Sequence, residues 1–417
     1  MASRPAVNKM DEKEFFEYLE KRQTPRYERV HFDAFLNKVG FSFNLPAIHI
    51  TGTNGKGATL NYLISIYQCA GYRVGSYHSP YFYKPNEMTK IDDEEIDSGY
   101  MISLFEKYRK QIESFDLSSF EILTFVAFSY FNEKKPDICV IEVGMGGEID
   151  ATNIFEPILS IITSVSLEHT GALGRTVSEI ARSKGGIIKS YVPVLVGNIP
   201  DSADITLKEI ARKKESPYHF VSRHHFVQTS NSGIDFAYGE YLNLHLNSHA
   251  LYQVKNASLA VEAVTLLQAD FPVSEEAIRK GLAYGEIPLH VETIDNFILD
   301  GAHNPEAFES LVSDLARLEK DKPIHALFAC FRDKNINVEL PLLGTYVSDI
   351  TLTSFDHKRA RTEEEYFLYI GEYAYNGDWK KALELLMSAY PNDYILVTGS
   401  IAFAALVRKY ILEYLRK

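Results

Sequence analysis

The chain has 417 residues, 46% of them hydrophobic, which is enough for real cores and too apolar for a disordered chain. Its 43 Lys and Arg against 56 Asp and Glu leave a net charge of −13, which argues against nucleic acid or an anionic membrane surface as a partner. No apolar run approaches the roughly 20 residues of a membrane span. The first residues carry no apolar signal region. Cys69, Cys139 and Cys330 form no CxxC pair, as expected of a reducing compartment. The expectation is a soluble, cytoplasmic protein of two or three domains.

Short apolar runs alternate with longer amphipathic ones. AIHIT (47–51) reads as a buried strand, followed by the glycine-rich GTNGKGA and a helical stretch, TLNYLISIYQCAG. RVGSY (73–77) reads as a second strand. Residues 93–114 and 119–134 have helical spacing, the second almost wholly apolar. ICVIEV (138–143), ILSIITSV (158–165) and VPVLV (192–196) are further strands. Residues 216–250, rich in His, Tyr, Asn and Ser, read as a small antiparallel patch or long loops. Helices follow at 256–268 and at 274–284, with Ser274 as N-cap. A second alternation starts near Asn296, with strands at 297–300, 325–331, 349–355 and 394–400. Its helices are expected at 305–319, 363–374, 378–390 and 401–415. The fold class is therefore α/β: an N-terminal P-loop domain with a helix-flanked parallel sheet over residues 1–295, and a smaller C-terminal α/β domain over 296–417.

Thr51-Gly52-Thr53-Asn54-Gly55-Lys56-Gly57 is the most informative segment. Glycines let consecutive backbone N–H groups turn toward one anion. The helix that follows adds its positive end, and Lys56 adds a charge for the outer phosphates. It is not the commonest phosphate loop, because two residues separate Gly52 from Gly55 and Gly57 follows Lys56, where a Mg²⁺-binding hydroxyl is usual. Another oxygen must hold the metal. Ser79, Glu142 and His169 all sit at expected strand ends, where ligands of open parallel sheets collect. A Glu inside an apolar strand is costly unless it is paired or metal-bound. Mg²⁺ prefers oxygen and keeps several waters, so one Ser and one Glu suffice for an ion, while a His is less usual. On its own chemistry Lys184 reads as a solvated helix lysine.

GTNGKG, Glu142-Val143-Gly144-Met145-Gly146-Gly147 with Asp150-Ala151-Thr152-Asn153, Leu167-Glu168-His169 and Asp300-Gly301-Ala302-His303-Asn304-Pro305 occur in this order. From about Phe15 onward the chain resembles the folylpolyglutamate synthase/dihydrofolate synthase family of the Mur ligase superfamily, ATP-dependent amide ligases. The resemblance implies that Asn54, Gly55, Lys56 and Gly57 hold ATP phosphates. It implies that Ser79, Glu142 and His169 bind two Mg²⁺ ions, and that Asn256, Asp300 and the residue at 290 contact the nucleotide. Lys184 would be N-carboxylated. Phe120, Glu121, Ile149, Asp150 and Ala151 would lie along the pteridine side. L-Glutamate would sit near His303 and Ser400, with His303 orienting amine or phosphate. The expected partners are ATP, L-glutamate and a reduced folate or dihydropteroate, acting on a monomer.

Several positions depart from the family pattern. His290 stands in Pro288-Leu289-His290-Val291-Glu292, where the pattern is Pro-Gly-Arg-x-Glu. Ala58 replaces a Ser/Thr, Ser183 a Glu and Tyr252 a His. Rival readings are a cell-wall Mur-type ligase, a small-molecule kinase that stops at phosphoryl transfer, and an ATP-binding homologue with reduced or lost catalysis.

Overall fold

The computed structural model describes residues 10–22, 29–81, 83–230, 233–285, 288–317 and 322–415. They pack into two compact units, one comprising the described residues up to Arg223 with Lys255–Leu282, the other His224–Val254 with the described residues from Ala283 on.

The first unit holds strands β1 (Ala47–Thr51), β2 (Val74–Tyr77), β3 (Thr89–Ile91), β4 (Glu94–Glu95), β5 (Ile138–Glu142), β6 (Leu159–Ile162), β7 (Val194–Val196) and β8 (Tyr218–Phe220). They form one sheet in the order β4-β3-β2-β5-β1-β6-β7-β8. Strands β2, β5, β1, β6, β7 and β8 are parallel, and β3 and β4 add an antiparallel edge. All residues of β1 and β5 are buried, as expected of parallel strands covered on both faces, the polar His49, Thr51 and Glu142 among them. With β5 on one side of β1 and β6 on the other, a crevice opens at their carboxyl ends.

Side-chain alternation splits the burial between two faces. Ala47, Tyr77 and Ile141 join a cluster with Phe15, Phe32, Phe35, Phe105, Phe125 and Phe128, each of these Phe residues at most 1% exposed. Ile162, Val194 and Val196 join a second cluster with Ile180, Ile187 and Leu207. Each fully buried Phe contributes on the order of 2–3 kcal/mol. The helix Lys56–Cys69 packs on β1, β2 and β5, and Gly281 of the helix Glu275–Tyr284 lies against Ile66 of that helix.

In the second unit β9 (His225–Ser230), β10 (Gly233–Tyr238) and β11 (Tyr241–Leu246) form an antiparallel sheet, order β11-β10-β9. The antiparallel option expected for 216–250 is thus found over β9 to β11, whereas 218–220 form the parallel strand β8 of the first sheet. β12 (Glu292–Ile294), β13 (Phe297–Leu299), β14 (Ile324–Phe328), β15 (Asp349–Thr353), β16 (Ala374–Asn376) and β17 (Tyr394–Thr398) form a third sheet, order β12-β13-β17-β14-β15-β16, parallel except for β12.

Two expected helices are shorter than their spacing suggested. Residues 93–114 begin with the hairpin strand β4, and the helix starts at Ser98, capped by the Asp97 carboxylate accepting from Tyr100 N. Residues 363–374 are helical only over Glu363–Tyr366; Gly371 at φ 111° belongs to a turn, and Ala374 opens β16. The helix expected over 305–319 spans Pro305–Leu315, and positions 318–319 lie outside the described residues. Helices Glu12–Lys21, Arg29–Val39, Asp201–Lys213 and Ile336–Gly344 had no sequence expectation. Among the described residues no helix is long and apolar enough to cross a membrane.

Candidate active site

β1 runs into the loop Gly52–Gly55, and Gly55 caps the following helix at φ 85°. Only glycine suits that conformation here, since a Cβ would collide with the Asn256 side-chain oxygen. Asn256, 8% exposed, therefore borders the loop. The segment after β6 ties the loop down. Asn54 N donates to Ser164 Oγ at 2.8 Å, and Thr163 Oγ1 donates to Asn54 O at 2.6 Å. Lys56 Nζ donates back to Gly52 O at 3.0 Å and Thr53 O at 3.2 Å.

Glu142 ends β5 and is buried. Its Oε2 accepts from Ser79 N at 3.4 Å, and a Cβ at Gly57 would lie 3.9 Å from the same oxygen. Ser79, Glu142 and the phosphate loop are thus neighbours. Burial raises the Glu142 pKa to about 7, against the Lys56 charge and the Ser79 amide, which favour the ionised form. A buried carboxylate with one long amide contact suits a bound cation, so the residues fit Mg²⁺. Among the described residues no three His, Cys, Asp or Glu side chains gather as a ready metal cluster. An ion here would take its other ligands from the Ser79 hydroxyl, water and phosphate.

A small cleft opens beside them, lined by Thr51, Gly52, Lys56, Val143 to Gly146, Glu168, His169, Leu173 and Lys184. His169 holds a left-handed backbone, φ 47°, and its Nε2 lies 3.5 Å from Glu168 Oε1. A positive φ at a non-glycine residue is uncommon and accumulates at functional sites. Lys184 is not the solvated helix lysine its sequence setting suggested. It ends the helix Val177–Lys184, whose apolar side, with Ile180 and Ala181, turns it inward, and it is 2% exposed. Burial, then the Lys56 charge, lowers its pKa to about 7, and Glu168 opposes this. Sequence reasoning assigned Glu168 no role; its place next to His169 was the available signal.

The pteridine-side candidates divide. The Phe120 ring abuts Gly144, where a Cβ would meet it at 2.6 Å, so it reaches the cleft-lining loop. Ile149 is 41% exposed, and Ala151 is buried. Glu121 is the N3 residue of a capping box, its Oε2 accepting from Ser118 N at 2.7 Å and Ser118 Oγ at 2.6 Å. Asp150 accepts from Met145 N and Thr152 N, both at 2.9 Å, and from Thr152 Oγ1 at 2.6 Å, so its carboxylate braces the glycine loop.

In the second unit Asp300 follows β13. Its oxygens accept from Val291 N at 2.9 Å and Ala302 N at 2.8 Å, and burial raises its pKa to about 7. Gly301 N donates to Leu289 O at 2.8 Å, and Gly301 lies against Ile401. The neighbourhoods of His290, Asp300 and Ser400 thus converge at the carboxyl ends of β13 and β17. His290 Nδ1 donates to Pro288 O at 2.8 Å, and burial lowers its pKa. His303 Nδ1 donates to Gly301 O at 2.9 Å. Ser400 caps the helix Ile401–Tyr414, its Oγ accepting from Phe403 N at 3.4 Å.

A nucleotide-type loop, a buried acid at the next strand end and a second α/β unit define a Mur-type ligase. The Mur ligase middle domain matches residues 50–264, and the Mur ligase glutamate ligase domain matches 289–401. The folylpolyglutamate synthase of Lacticaseibacillus casei is 30% identical over 385 residues, 88% of this chain and 90% of that one. The dihydrofolate synthase/folylpolyglutamate synthase of Bacillus subtilis is 31% identical over 391 residues, with 88% and 90% covered. The apo form of L. casei FPGS superposes with a TM-score of 0.86 at 27% identity, covering 97% of this chain and 100% of that one. E. coli FolC in complex with DHPP and ADP gives 0.86 at 28%, with 100% of both chains covered. The chain belongs to the folylpolyglutamate synthase/dihydrofolate synthase family.

Proposed function

We infer that the chain is an ATP-dependent ligase that joins L-glutamate to the carboxylate of a folate or of dihydropteroate through an acyl phosphate. The observation that carries this reading is one cleft holding Lys56 of the phosphate loop beside buried Lys184 and His169, with Glu142 adjacent to the loop, in a member of this family. Relatives solved as an FPGS-AMPPCP-folate complex and as E. coli FolC with DHPP and ADP support both ligands.

The chemistry follows from the acid. A free carboxylate is a poor acyl donor because oxide would have to leave. Phosphorylation by ATP turns that oxygen into a phosphate leaving group, and the glutamate amine then attacks the acyl carbon to form the amide. We assign Asn54, Gly55, Lys56, Gly57, Asn256, His290 and Asp300 to the nucleotide. Lys56 neutralises charge on the transferred phosphoryl group. Ser79, Glu142 and His169 would hold two Mg²⁺ ions, which when bound supply further charge neutralisation. Lys184 is proposed to be carboxylated, a reaction that needs the neutral amine its lowered pKa provides. Phe120, Glu121, Ile149, Asp150 and Ala151 are assigned to the pteridine side, and His303 and Ser400 to the glutamate side. We propose further that labour divides near residue 295, with 1–295 binding ATP and 296–417 completing the ligase, in a cytoplasmic monomer.

The test is phosphate release with ATP and Mg²⁺, offering dihydropteroate and tetrahydrofolate separately, each with and without L-glutamate. Release that requires both acid and glutamate is expected. ADP release without glutamate, the phosphoryl group staying on the acid and no phosphate set free, would make the chain a kinase. A second reading, an ATP-binding homologue with reduced catalysis, is favoured by His290, whose lowered pKa leaves it without the fixed charge of an arginine. Nucleotide binding with no phosphate release under any pairing would establish it.

A further inference from the structure

β1 carries two polar side chains on one face, His49 and Thr51, both fully buried. Thr51 Oγ1 donates directly to Gly146 O in the cleft-lining loop. His49 reaches the same loop indirectly. Its Nε2 lies 2.9 Å from Thr152 Oγ1, which lies 2.6 Å from Asp150 Oδ1. Asp150 in turn accepts from Met145 N and Thr152 N, with Gly144 N a further donor.

Counting protons sets the direction of this chain. Burial pushes the Asp150 pKa up, but the donors converging on it hold the ionised form, which can only accept. The single hydroxyl hydrogen of Thr152 therefore goes to Asp150, and its oxygen accepts from His49 Nε2–H. His49 Nδ1 is then a bare acceptor, and it has neither solvent nor a partner. An orphaned buried nitrogen costs stability. On a strand flanked by Ile48 and Ile50, leucine would carry no such cost. An imidazole at this position therefore points to a role other than stability.

We propose that His49 is a positioning residue for the ligation: through Thr152 and Asp150 it fixes the loop Gly144–Met145, while Thr51 fixes Gly146. One strand then sets both the phosphate loop at its end and the glycine loop that lines the same cleft. This role presupposes the ligase activity. Because Phe120 abuts Gly144 and Asp150 adjoins Ile149 and Ala151, a loosened loop disturbs the acid substrate rather than ATP. The imidazole is a fixed donor and not a switch. Burial, with the charges of Lys189 and Arg29, holds its pKa down at about 3, and its other neighbour is the Phe155 ring at 4.9 Å.

The test compares His49→Leu, which removes the donor, with His49→Gln, whose side-chain amide can replace Nε2–H. For the Leu variant we expect kcat/KM for the acid substrate to fall on the order of 10–100-fold, with KM for ATP unchanged and Tm no lower than wild type. The Gln variant should recover most of the loss. In protein without substrate, the Met145 and Thr152 amides should exchange hydrogen faster in the Leu variant than in wild type or the Gln variant. Should the Leu variant not fold, Thr152→Val breaks the same relay one bond further on. Wild-type kinetics and exchange in the Leu variant would overturn the proposal, and so would equal losses in both variants with a lowered Tm. A wild-type protein with no glutamate-dependent phosphate release would refute the ligase reading instead, while the exchange rates would still report on the relay.

Discussion

Lys184 and Lys56 line the same cleft, and the Lys56 charge adds to burial in lowering the Lys184 pKa to about 7. As pH rises through that value the neutral amine becomes the major form, so carboxylation by CO₂ should grow across the neutral range. Lys184→Ala should lose activity on the order of 100-fold, the scale of removing one electrostatic group, and a small carboxylic acid should restore part of it. Bare lysine in a high-resolution map of active crystals kept in bicarbonate would contradict the assignment.

Among the described residues Lys56 donates its hydrogen bonds to Gly52 O and Thr53 O of its own loop, so removing it should leave the fold intact. Lys56→Ala should show wild-type unfolding and ATP turnover reduced at least on the order of 100-fold. Turnover close to wild type would remove the loop from the phosphate site.

Glu142 is held by one amide at 3.4 Å in a buried setting that favours its protonated form. A cation bound there offsets the burial. Mg²⁺ with a non-hydrolysable ATP analogue should raise the wild-type Tm, and Glu142→Ala should lose most of that increment together with Mg²⁺-dependent activity. An equal Tm increment in the variant would place the ion elsewhere.

The phosphate loop and the strand-end candidates were legible because their signal is local: glycines at fixed spacing, and a Glu inside an apolar run. The buried state of Lys184 was not, because it depends on how the helix Val177–Lys184 packs in one cluster with β6, β7 and the helix Asp201–Lys213, which spacing along a single helix does not reveal. The sheet order was equally hidden, since β5 enters between β1 and β2 only through long crossovers. Residues 363–374 misled because Phe367, Leu368 and Ile370 have helical spacing yet are exposed, with no face of the unit to bury them. Pro341 inside Ile336–Gly344 concealed a helix in the opposite way.

Leu289 takes a left-handed backbone, φ 63°, at the position where the family pattern has Gly. That conformation costs a leucine about 1–2 kcal/mol. The side chain is 2% exposed, packed in a cluster with Phe297, Leu299 and Phe403, and such burial contributes about 1.5–3 kcal/mol. Burial is the larger effect, so Leu289→Gly should destabilise the second unit by about 1 kcal/mol despite relieving strain. Urea unfolding measures this, and a stabilised variant would show that backbone strain is the larger effect.

His290 replaces the family Arg, and its sign with pH can be worked out. Its Nδ1–H is engaged by Pro288 O, so the neutral ring presents only the Nε2 lone pair, which cannot donate to phosphate. Burial lowers its pKa below the ordinary 6.5 before ATP binds, with Pro288 O and Glu292 opposing. A phosphate beside Nε2 would favour the protonated ring and raise the pKa in the complex. ATP binding should therefore take up a proton between the free and bound pKa values, and affinity should weaken as pH rises through that window. Calorimetry in two buffers of different ionisation enthalpy reads the proton directly. His290→Arg should flatten the pH dependence and tighten ATP, provided the longer side chain clears the Tyr252 ring, now 6.0 Å from the imidazole. His290→Ala decides whether the residue acts at all: an ATP affinity that matches wild type at every pH would remove His290 from the nucleotide site.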